Sequence, residues 1–454
     1  MTNFRKFGSV CAVAALVLTN GCRKMDDETE ATLLGAINPV IDTCNITKSP
    51  KPGTPVTTEM AKSGLPCAVT FNQGNELADL QLDFDFNSWL TFVALHEDDG
   101  DMAMWQGWQD MGSLMLPDGK APPPFGQSVP APEICTGGAD GAPVLKMISK
   151  TPTTPTASIS GEPLNTGPLI DQNGNYARYQ ILVNEVMYDY IVDNKLYSKA
   201  GQAAFDKEIA FPEGNVTKDT TGTMGAIVLK VSWKVLAGDD DPADFHSVKG
   251  YVYSPATADT PESCVTETLG LVGMHIVHKT KQEPQWLWGT FEHKDNAPDS
   301  PTSSGSFHFY DPSCTDCEVN AEAPQPWNPA VEPFPGNFRS QIVRTTTYPS
   351  EAVDSAARWN PEFQQALKGT ALAKYRLVTT QWPTDGGSTT DPMGAPFPLF
   401  AANTTMETYV QATRSGDGWV NTPQATSSCM SCHNNATTTN GKESDFSFVL
   451  EKAE

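Results

Sequence analysis

Two kinds of apolar periodicity predict an α+β protein whose body is mainly β, with scattered helices. Alternation of apolar and polar residues, which is typical of half-buried strands, extends over residues 224–236 and 373–382. The short segment TKQEP separates the apolar stretches 270–279 and 285–293, and this arrangement predicts a β-hairpin. The sequence shows no repeat of 20–50 residues, which disfavours a solenoid or a propeller.

Three helices are predicted from apolar residues at i, i+3, i+4 and i+7 and from capping residues. The first includes FNSWLTFVALHE, residues 86–97, with Asn87 as its N-cap. The second begins after Asn184, whose side chain can accept hydrogen bonds from the first helical turn. The third is predicted from Asn360-Pro361, a cap followed by a proline in the first turn.

The N-terminus predicts export. A basic start, MTNFRK, precedes an apolar run that is too short to span a bilayer, and residues 1–21 are typical of a signal peptide. LTNGC resembles a bacterial lipobox in which Cys22 becomes lipidated, although Thr19 replaces the usual leucine, so ordinary cleavage is the alternative. We expect a lipoprotein on the periplasmic side of the outer membrane, attached to the membrane by its lipid anchor only.

The charge balance limits the kinds of partner. The formal net charge is −24, with 54 acidic and 30 basic residues. Nucleic acid is excluded as a partner because no basic patch is available to replace phosphate counterions. An acidic surface suits cationic partners, although exported bacterial proteins are often acidic for other reasons.

Six of the ten cysteines are predicted to form disulfides. Cys11 lies in the signal peptide, Cys22 is the lipidation candidate, and two more belong to the motif described next. In an oxidising compartment an even set indicates disulfides, with 15 connectivities open for these six: Cys44, Cys67, Cys135, Cys264, Cys314 and Cys317. The pair Cys314-Thr-Asp-Cys317 is interpreted as a loop disulfide in preference to a redox dithiol.

The segment SSCMSCHNNA, residues 427–436, contains Cys-x-x-Cys-His, the attachment motif of c-type haem. Cys429 and Cys432 would form thioethers with the two vinyl groups of one haem, and His433 would bind the iron as an axial ligand. The alternative is a zinc site formed together with Cys314 and Cys317. The distance along the chain between these cysteines and the motif is far from zinc-ribbon spacing. We therefore expect one covalent haem c, in a segment that docks on the body rather than in a small all-α cytochrome c fold.

A second axial ligand would have to come from residues before the motif, because neither methionine nor histidine follows His433. Candidates for this distal side are His275, His278 and His293 on the hairpin, and Met406. Met406 lies where the spacing of Thr404 and Glu407 predicts a capping box and the start of a helix. Met393, in a Pro-Met-Gly loop, is a further candidate.

The strand pattern restricts this choice. Successive side chains of a strand point to opposite faces, so at most one of His275 and His278 can face a haem pocket. Trp286 and Trp288 share a face, which would form an apolar wall beside a haem or an ordinary sheet core. For each histidine a structural role is the competing interpretation.

Several segments together resemble one group of proteins. They are FDFNSWLTFVAL, YIVDNKLYSKAGQ, LVGMHIVHKTKQEPQWLWGTFEHKDNAP, NTTMETYVQ and SSCMSCH. The chain is similar in them to uncharacterised exported bacterial cytochrome c family proteins with a single C-terminal CxxCH motif. The resemblance implies haem attachment and export, and it assigns roles to Cys429, Cys432 and His433 only.

The predicted organisation has four parts: the signal peptide 1–21, an N-terminal tether with disulfides at 22–82, a β-rich body at 83–400 and a haem segment at 401–454. The predicted function is electron transfer by a monohaem lipoprotein, with a redox protein or a small electron donor or acceptor as partner. The alternative is a haem enzyme, of peroxidase or oxygenase type, with an open distal site that is lined by a hairpin histidine.

Overall fold

The computed structural model describes the chain from Cys44 to Glu454 with gaps. Within this range it does not describe residues 47, 52, 69–75, 98–101, 139–140, 149–166, 218–220, 257, 259, 302, 325–326, 329–330, 335, 346–352, 385–395, 416–417 and 422–427. The predicted signal peptide, 1–21, and Cys22 lie outside the described residues. All described residues belong to one compact unit, Asp42–Glu454, so the boundaries predicted after residues 82 and 400 fall within it.

The strands confirm the predicted α+β, mainly β class, because most of them join one large sheet. In chain order they are β1 (Cys44–Asn45), β2 (Gln109–Asp110), β3 (Val144–Leu145), β4 (Arg178–Val183), β5 (Asn215–Val216), β6 (Thr221–Thr223), β7 (Ile227–Val235), β8 (Ser247–Ser254), β9 (Ser263–His278), β10 (Leu287–His293), β11 (Tyr375–Pro383), β12 (Pro396–Phe397), β13 (Ala412–Ser415) and β14 (Gly418–Asn421).

The helices are fewer than the strands and mostly short, so the fold is not that of an all-α cytochrome. They are α1 (Thr58–Ala61), α2 (Leu77–Leu95), α3 (Met111–Leu114), α4 (Glu185–Asp193), α5 (Lys199–Ala204), α6 (Val353–Ala366) and α7 (Cys429–His433). Among the described residues, none of the helices combines the length and the apolarity that crossing a lipid bilayer would require.

The large sheet has the order β12-β11-β10-β9-β7-β4-β2, and β8 and β3 extend it from the first half of β9. The predicted hairpin is confirmed: β9 and β10 are antiparallel, with Trp288 opposite Val277 and Thr290 opposite His275. On its other side β9 pairs with β7, which places Lys230 opposite His275. The middle of the sheet thus brings residues from three strands together around His275.

Helix α2 differs from the prediction because it lies within the core. It begins at Leu77, so Asn87 is an interior residue and not the N-cap. Most of its polar residues are buried, and one carboxylate oxygen of Asp85 accepts a hydrogen bond from the backbone nitrogen of Thr380 at 2.8 Å. Because α6 and β11 supply hydrogen-bond partners, the helix does not need a polar face toward water.

The predicted caps of the other two helices have different outcomes. Asn184 caps α4 as predicted, since its side chain accepts a hydrogen bond from the backbone nitrogen of Met187 at 3.2 Å. The prediction for Asn360 is wrong, because α6 continues through Pro361. The Asn360 side chain instead accepts hydrogen bonds from the Trp89 indole at 3.0 Å and from the backbone nitrogen of Leu377 at 2.9 Å, which connects α6 to α2 and β11.

The six cysteines outside the signal peptide, the lipobox and the CxxCH motif form three disulfides. They are Cys44–Cys67, Cys135–Cys264 and Cys314–Cys317. The first two join segments that are distant in the sequence, whereas the third closes a short loop. Disulfides persist in oxidising compartments, which agrees with the predicted export.

Candidate haem site

The CxxCH motif forms helix α7, which docks on strand β11. The side chain of Gln381, on β11, accepts a hydrogen bond from the backbone nitrogen of Met430 at 2.9 Å. Met430 is fully buried, whereas Cys429, Cys432 and His433 are partly exposed. Positions i, i+3 and i+4 share one face of a helix, so the three motif side chains lie on the same side.

His433 is oriented by a hydrogen bond and two aromatic rings. Its Nδ1 lies 2.8 Å from the carbonyl oxygen of Phe446, and its ring contacts those of Trp288 and Phe448 at centroid distances of 4.6 and 5.0 Å. Since a carbonyl oxygen only accepts, Nδ1 must donate, and a neutral imidazole then has its lone pair on Nε2. This is the arrangement that ligating histidines commonly have, with the second nitrogen bound to a carbonyl or a carboxylate.

The segment that presents this carbonyl has an uncommon backbone. Asp445 and Phe446 have φ values of 51° and 62°, in the left-handed region that non-glycine residues rarely adopt. The Asp445 carboxylate pairs with Lys279 and accepts a hydrogen bond from the backbone nitrogen of Phe211 at 2.7 Å, and its carbonyl accepts one from the Trp286 indole at 3.1 Å. Burial raises the pKa of Asp445 to about 6, against the opposing effect of Lys279. Fixed partners thus hold the strained segment.

A large cavity lies beside the motif. Its empty volume, which includes space open to solvent, is about 1200 Å³. Cys429, Cys432 and His433 line it, together with apolar and aromatic residues from the C-terminal segment and from the sheet: Ile181, Val228, Val277, Trp286, Trp288, Phe446, Phe448 and Val449. Apolar walls beside two thiols and an oriented histidine suit a flat, largely apolar cofactor.

One part of the cavity wall is polar. His275 and Glu407 line it, and the Nε2 atom of His275 lies 3.1 Å from a carboxylate oxygen of Glu407. Lys230, which is cross-strand to His275, and Tyr179 also line the cavity. Two methionines, Met111 and Met147, are further lining residues. The cavity therefore contains a charged group of side chains as well as its apolar walls.

Of the four residues predicted for the distal side, the structure brings only His275 to the cavity lining. His278 lies on the opposite face of β9 and is 3% exposed, in agreement with the strand argument that at most one of the two could face the site. Neither ring nitrogen of His278 has a hydrogen-bond partner among the described residues, and burial lowers its pKa to about 4. His278 is a core histidine in this structure.

His293 and Met406 also lie away from the cavity. His293 is five residues from Trp288 along β10, roughly 17 Å at strand spacing, and its ring stacks on Phe245 with a centroid distance of 4.8 Å. Met406 belongs to a buried apolar cluster with Val272 and Ile342. Met393 lies outside the described residues.

The helix predicted at Thr404 is replaced by a turn. Residues 404–406 form a turn and a 3-10 helix follows at Thr408–Val410. Glu407 accepts a hydrogen bond from the backbone nitrogen of Asn403 at 2.9 Å. The pattern that resembles a capping box therefore closes this turn, and the second oxygen of Glu407 reaches His275.

Lys230 and Glu407 are two charged cavity residues that the sequence patterns did not predict. Lys230 belongs to an alternating set with Ser232 and Lys234, which is typical of a solvated strand face. In the structure this face is covered: Lys230 is 8% exposed and Ser232 is fully buried. Alternation shows that residues share a face, but it cannot show what covers that face. Trp286 and Trp288, which were predicted to form one apolar wall, both line the cavity, although Trp286 precedes β10 and has a φ of 70°.

The chain matches no family model, no curated protein and no solved structure in the three comparisons that were made. The zinc alternative loses its second pair of ligands, because Cys314 and Cys317 are bonded to each other. Within the described part of the chain, no group of three or more His, Cys, Asp or Glu side chains could hold a metal ion.

Proposed function

We propose that the protein is an exported monohaem c-type cytochrome that serves electron transfer. The observation that supports this proposal is one cavity lined by Cys429, Cys432 and His433 and by the aromatic rings of Trp288 and Phe448. A thioether haem needs two thiols and a histidine on one side of such a cavity, and Cys429, Cys432 and His433 meet this need.

Each residue has a task toward the haem. The thiols of Cys429 and Cys432 would attach the ring, and His433 would bind the iron through Nε2 because Nδ1 donates to Phe446. Trp286 and Trp288 would exclude water from one side of the ring. Bound in this way, haem supplies a reversible one-electron change of its iron.

Two features support electron exchange with a separate partner. Cys429 and Cys432 are partly exposed, so the attached edge of the ring would lie near the protein surface. The net charge of −24 favours association with a cationic redox protein, or with a small electron donor or acceptor. Lipidation at Cys22 would keep the protein at the periplasmic side of the outer membrane.

A haem enzyme is a second candidate, and the polar part of the cavity favours it. A simple electron carrier has no need of a hydrogen-bonded polar pair such as His275 and Glu407 beside its cofactor. The polarity and the hydrogen-bond donors of a distal pocket decide between electron transfer and the binding or activation of small ligands. Peroxidase-type or oxygenase-type chemistry would use such a pocket.

Covalent haem staining after denaturing electrophoresis tests the proposal. The full chain, produced in a host that matures c-type cytochromes, should stain, and Cys429→Ala/Cys432→Ala should not. The matched control is Cys314→Ala/Cys317→Ala, which removes the other Cys-x-x-Cys pair and should leave the staining intact. Staining of the Cys429→Ala/Cys432→Ala variant, or an unstained wild-type protein that is folded, would refute haem attachment at this motif.

A further inference from the structure

The charged group in the cavity is built by strand register. Lys230 on β7 is opposite His275 on β9, and Thr290 on β10 is opposite His275 on the other side. Opposite residues of antiparallel strands have Cβ atoms about 4.5–5.5 Å apart. Lys230 and His275 are therefore neighbours on one sheet face, and both line the cavity.

Glu407 reaches this group because the turn at 403–407 packs directly on the sheet. The hydroxyl of Tyr179 donates to the carbonyl oxygen of Thr405 at 2.8 Å, and the hydroxyls of Thr405 and Ser232 lie 2.6 Å apart. A Cβ atom at Gly273 would lie 2.4 Å from the Thr405 hydroxyl, so the close approach requires glycine there. The turn is thus fixed against the strand that carries His275.

A buried ion pair holds the same turn from its other side. The carboxylate of Glu292 accepts hydrogen bonds from the backbone nitrogen and the hydroxyl of Thr404 at 3.0 and 2.8 Å, and it pairs with Arg344. The Asn403 side chain donates to the carbonyl oxygen of Phe291 at 2.7 Å. Glu407 is thereby positioned by the scaffold, and its contact with His275 is part of the fold.

The contact determines which nitrogen of His275 can accept a proton. A carboxylate accepts hydrogen bonds, so Nε2 of His275 donates to Glu407, and the lone pair of the neutral ring lies on Nδ1. A base oriented by a carboxylate recurs in enzymes because the carboxylate stabilises the imidazolium that forms. The same contact makes His275 a poor axial ligand through Nε2.

We propose that His275 is the distal base of this cavity and that the cavity binds small weak acids, HX, as their anions at the haem iron. His275 would take the proton on Nδ1 as the H–X bond breaks, and X⁻ would keep the electron pair with which it could bind a haem iron. Glu407 offsets the charge of the imidazolium, and Lys230 offsets the charge of the bound anion. This inference rests on the proposed haem, and it favours an open distal site over the six-coordinate iron of a simple carrier.

Hydrogen cyanide is a suitable probe, since it is a weak acid that binds ferric haem as cyanide. The full-length protein with covalent haem should bind it with a shift of the Soret band. His275→Leu and Glu407→Gln should each lower the association rate, His275→Leu by on the order of 10²-fold. Lys230→Met should weaken the equilibrium binding of cyanide.

Two controls separate a base from a merely structural residue. His278→Leu changes a histidine of the same strand on the opposite face, and it should bind cyanide at the wild-type rate. Carbon monoxide binds ferrous haem without giving up a proton, so its association rate should be unchanged in His275→Leu and Glu407→Gln. A structural defect would slow both ligands.

Three results would overturn the inference. Stained protein that binds no cyanide has an internal sixth ligand, which leaves the cytochrome proposal in place but removes the open site. A resting spectrum that changes from low spin to high spin in His275→Leu would make His275 a ligand and not a base. Equal cyanide rates in wild-type, His275→Leu and Glu407→Gln would remove the base role. Loss of covalent staining in the wild-type protein would refute the haem proposal itself.

Discussion

The Nδ1 atom of His433 donates a hydrogen bond to the carbonyl oxygen of Phe446, 2.8 Å away, across twelve intervening residues. The direction of this carbonyl depends on the left-handed backbone of Asp445 and Phe446. That backbone is held in turn by the buried pair of Asp445 and Lys279, in which both side chains are fully shielded from solvent. An ion pair in the core thus orients the histidine at the cavity.

Removing the charge of Asp445 should therefore affect stability and, in the protein that carries the proposed haem, the properties of the iron. Asp445→Asn leaves the Lys279 ammonium buried without its anion, a change that costs about 3–5 kcal/mol in comparable cases. A weaker hydrogen bond to Phe446 makes His433 less basic, so the reduction potential should rise. Denaturant unfolding and a redox titration of the haem protein measure the two effects.

The control for this variant is Asp239→Asn, which neutralises an exposed aspartate. It should change neither quantity. An Asp445→Asn protein with the wild-type unfolding free energy and potential would show that the pair does not orient His433.

The close packing at Gly273 predicts a second effect. Gly273→Ala would place a Cβ atom 2.4 Å from the Thr405 hydroxyl and 2.7 Å from that of Ser232. Overpacking of this kind costs about 1–3 kcal/mol, and it should push the 403–407 turn away from the sheet. Thermal unfolding should show a lower midpoint. Gly107→Ala is the comparison, because the nearest atom there is the flexible end of Met102 at 3.8 Å.

The buried carboxylate of Glu292 should make stability depend on acid. Burial alone would raise its pKa, but Arg344 and Arg376 outweigh burial and lower the pKa to about 2. Because the unfolded-state value is near 4.5, the stabilisation is complete above pH 4.5 and is lost as the pH falls toward 2. Glu292→Gln should cost about 3–5 kcal/mol at pH 7. The difference from wild type should shrink between pH 4.5 and pH 2.

Urea unfolding at several pH values measures this difference. Glu318→Gln, at an exposed position, should match the wild type throughout. A Glu292→Gln protein as stable as the wild type at pH 7 would mean that the Arg344 pair contributes nothing to stability.

The buried carboxyl group of Glu283 should make stability depend on pH in the opposite direction. Burial raises its pKa to about 8, and one carboxylate oxygen has no hydrogen-bond partner among the described residues. Between pH 4.5 and 8 the folded protein binds a proton that the unfolded chain lacks, so this group lowers stability as the pH rises. The free energy of unfolding of Glu283→Gln, relative to that of the wild type, should therefore rise by up to about 1.4 kcal/mol per pH unit within that window.

The same urea series, with Glu318→Gln again as the exposed comparison, checks this expectation. A Glu283→Gln protein that loses stability relative to the wild type between pH 5 and pH 8 would contradict it.

Local patterns in the sequence predicted those parts of the fold that local physics controls. The alternation around Lys230 and the TKQEP turn predicted β7 and the β9–β10 hairpin, because strand period and turn composition act over a few residues. Asn184 was a correct cap for the same reason. Asn360 failed as a cap because its side chain has partners on α2 and β11, which no local pattern reveals.

The residues of the candidate site also fall into two groups, those that local patterns predict and those that they do not. Cys429, Cys432 and His433 lie within one five-residue motif that is recognisable from the sequence alone. Strand alternation correctly limited His275 and His278 to one cavity residue. Glu407 could not be predicted, because its contact with His275 joins positions 132 residues apart. Contacts of that range depend on how the whole chain packs.

Two parts of the protein enclose the cavity, the sheet around strand β9 and helix α7, and they differ in how easily they can move. The residues of β9 pair with β7 on one side and with β8 and β10 on the other, so exposing His275 or Val277 means breaking the centre of the sheet. Helix α7 is only five residues long, and its first turn is bound to the sheet by a side chain, Gln381. Local opening is least costly where few backbone hydrogen bonds are lost. A planar group as large as haem would therefore enter by displacement of helix α7, while the strands that carry the charged residues stay in register.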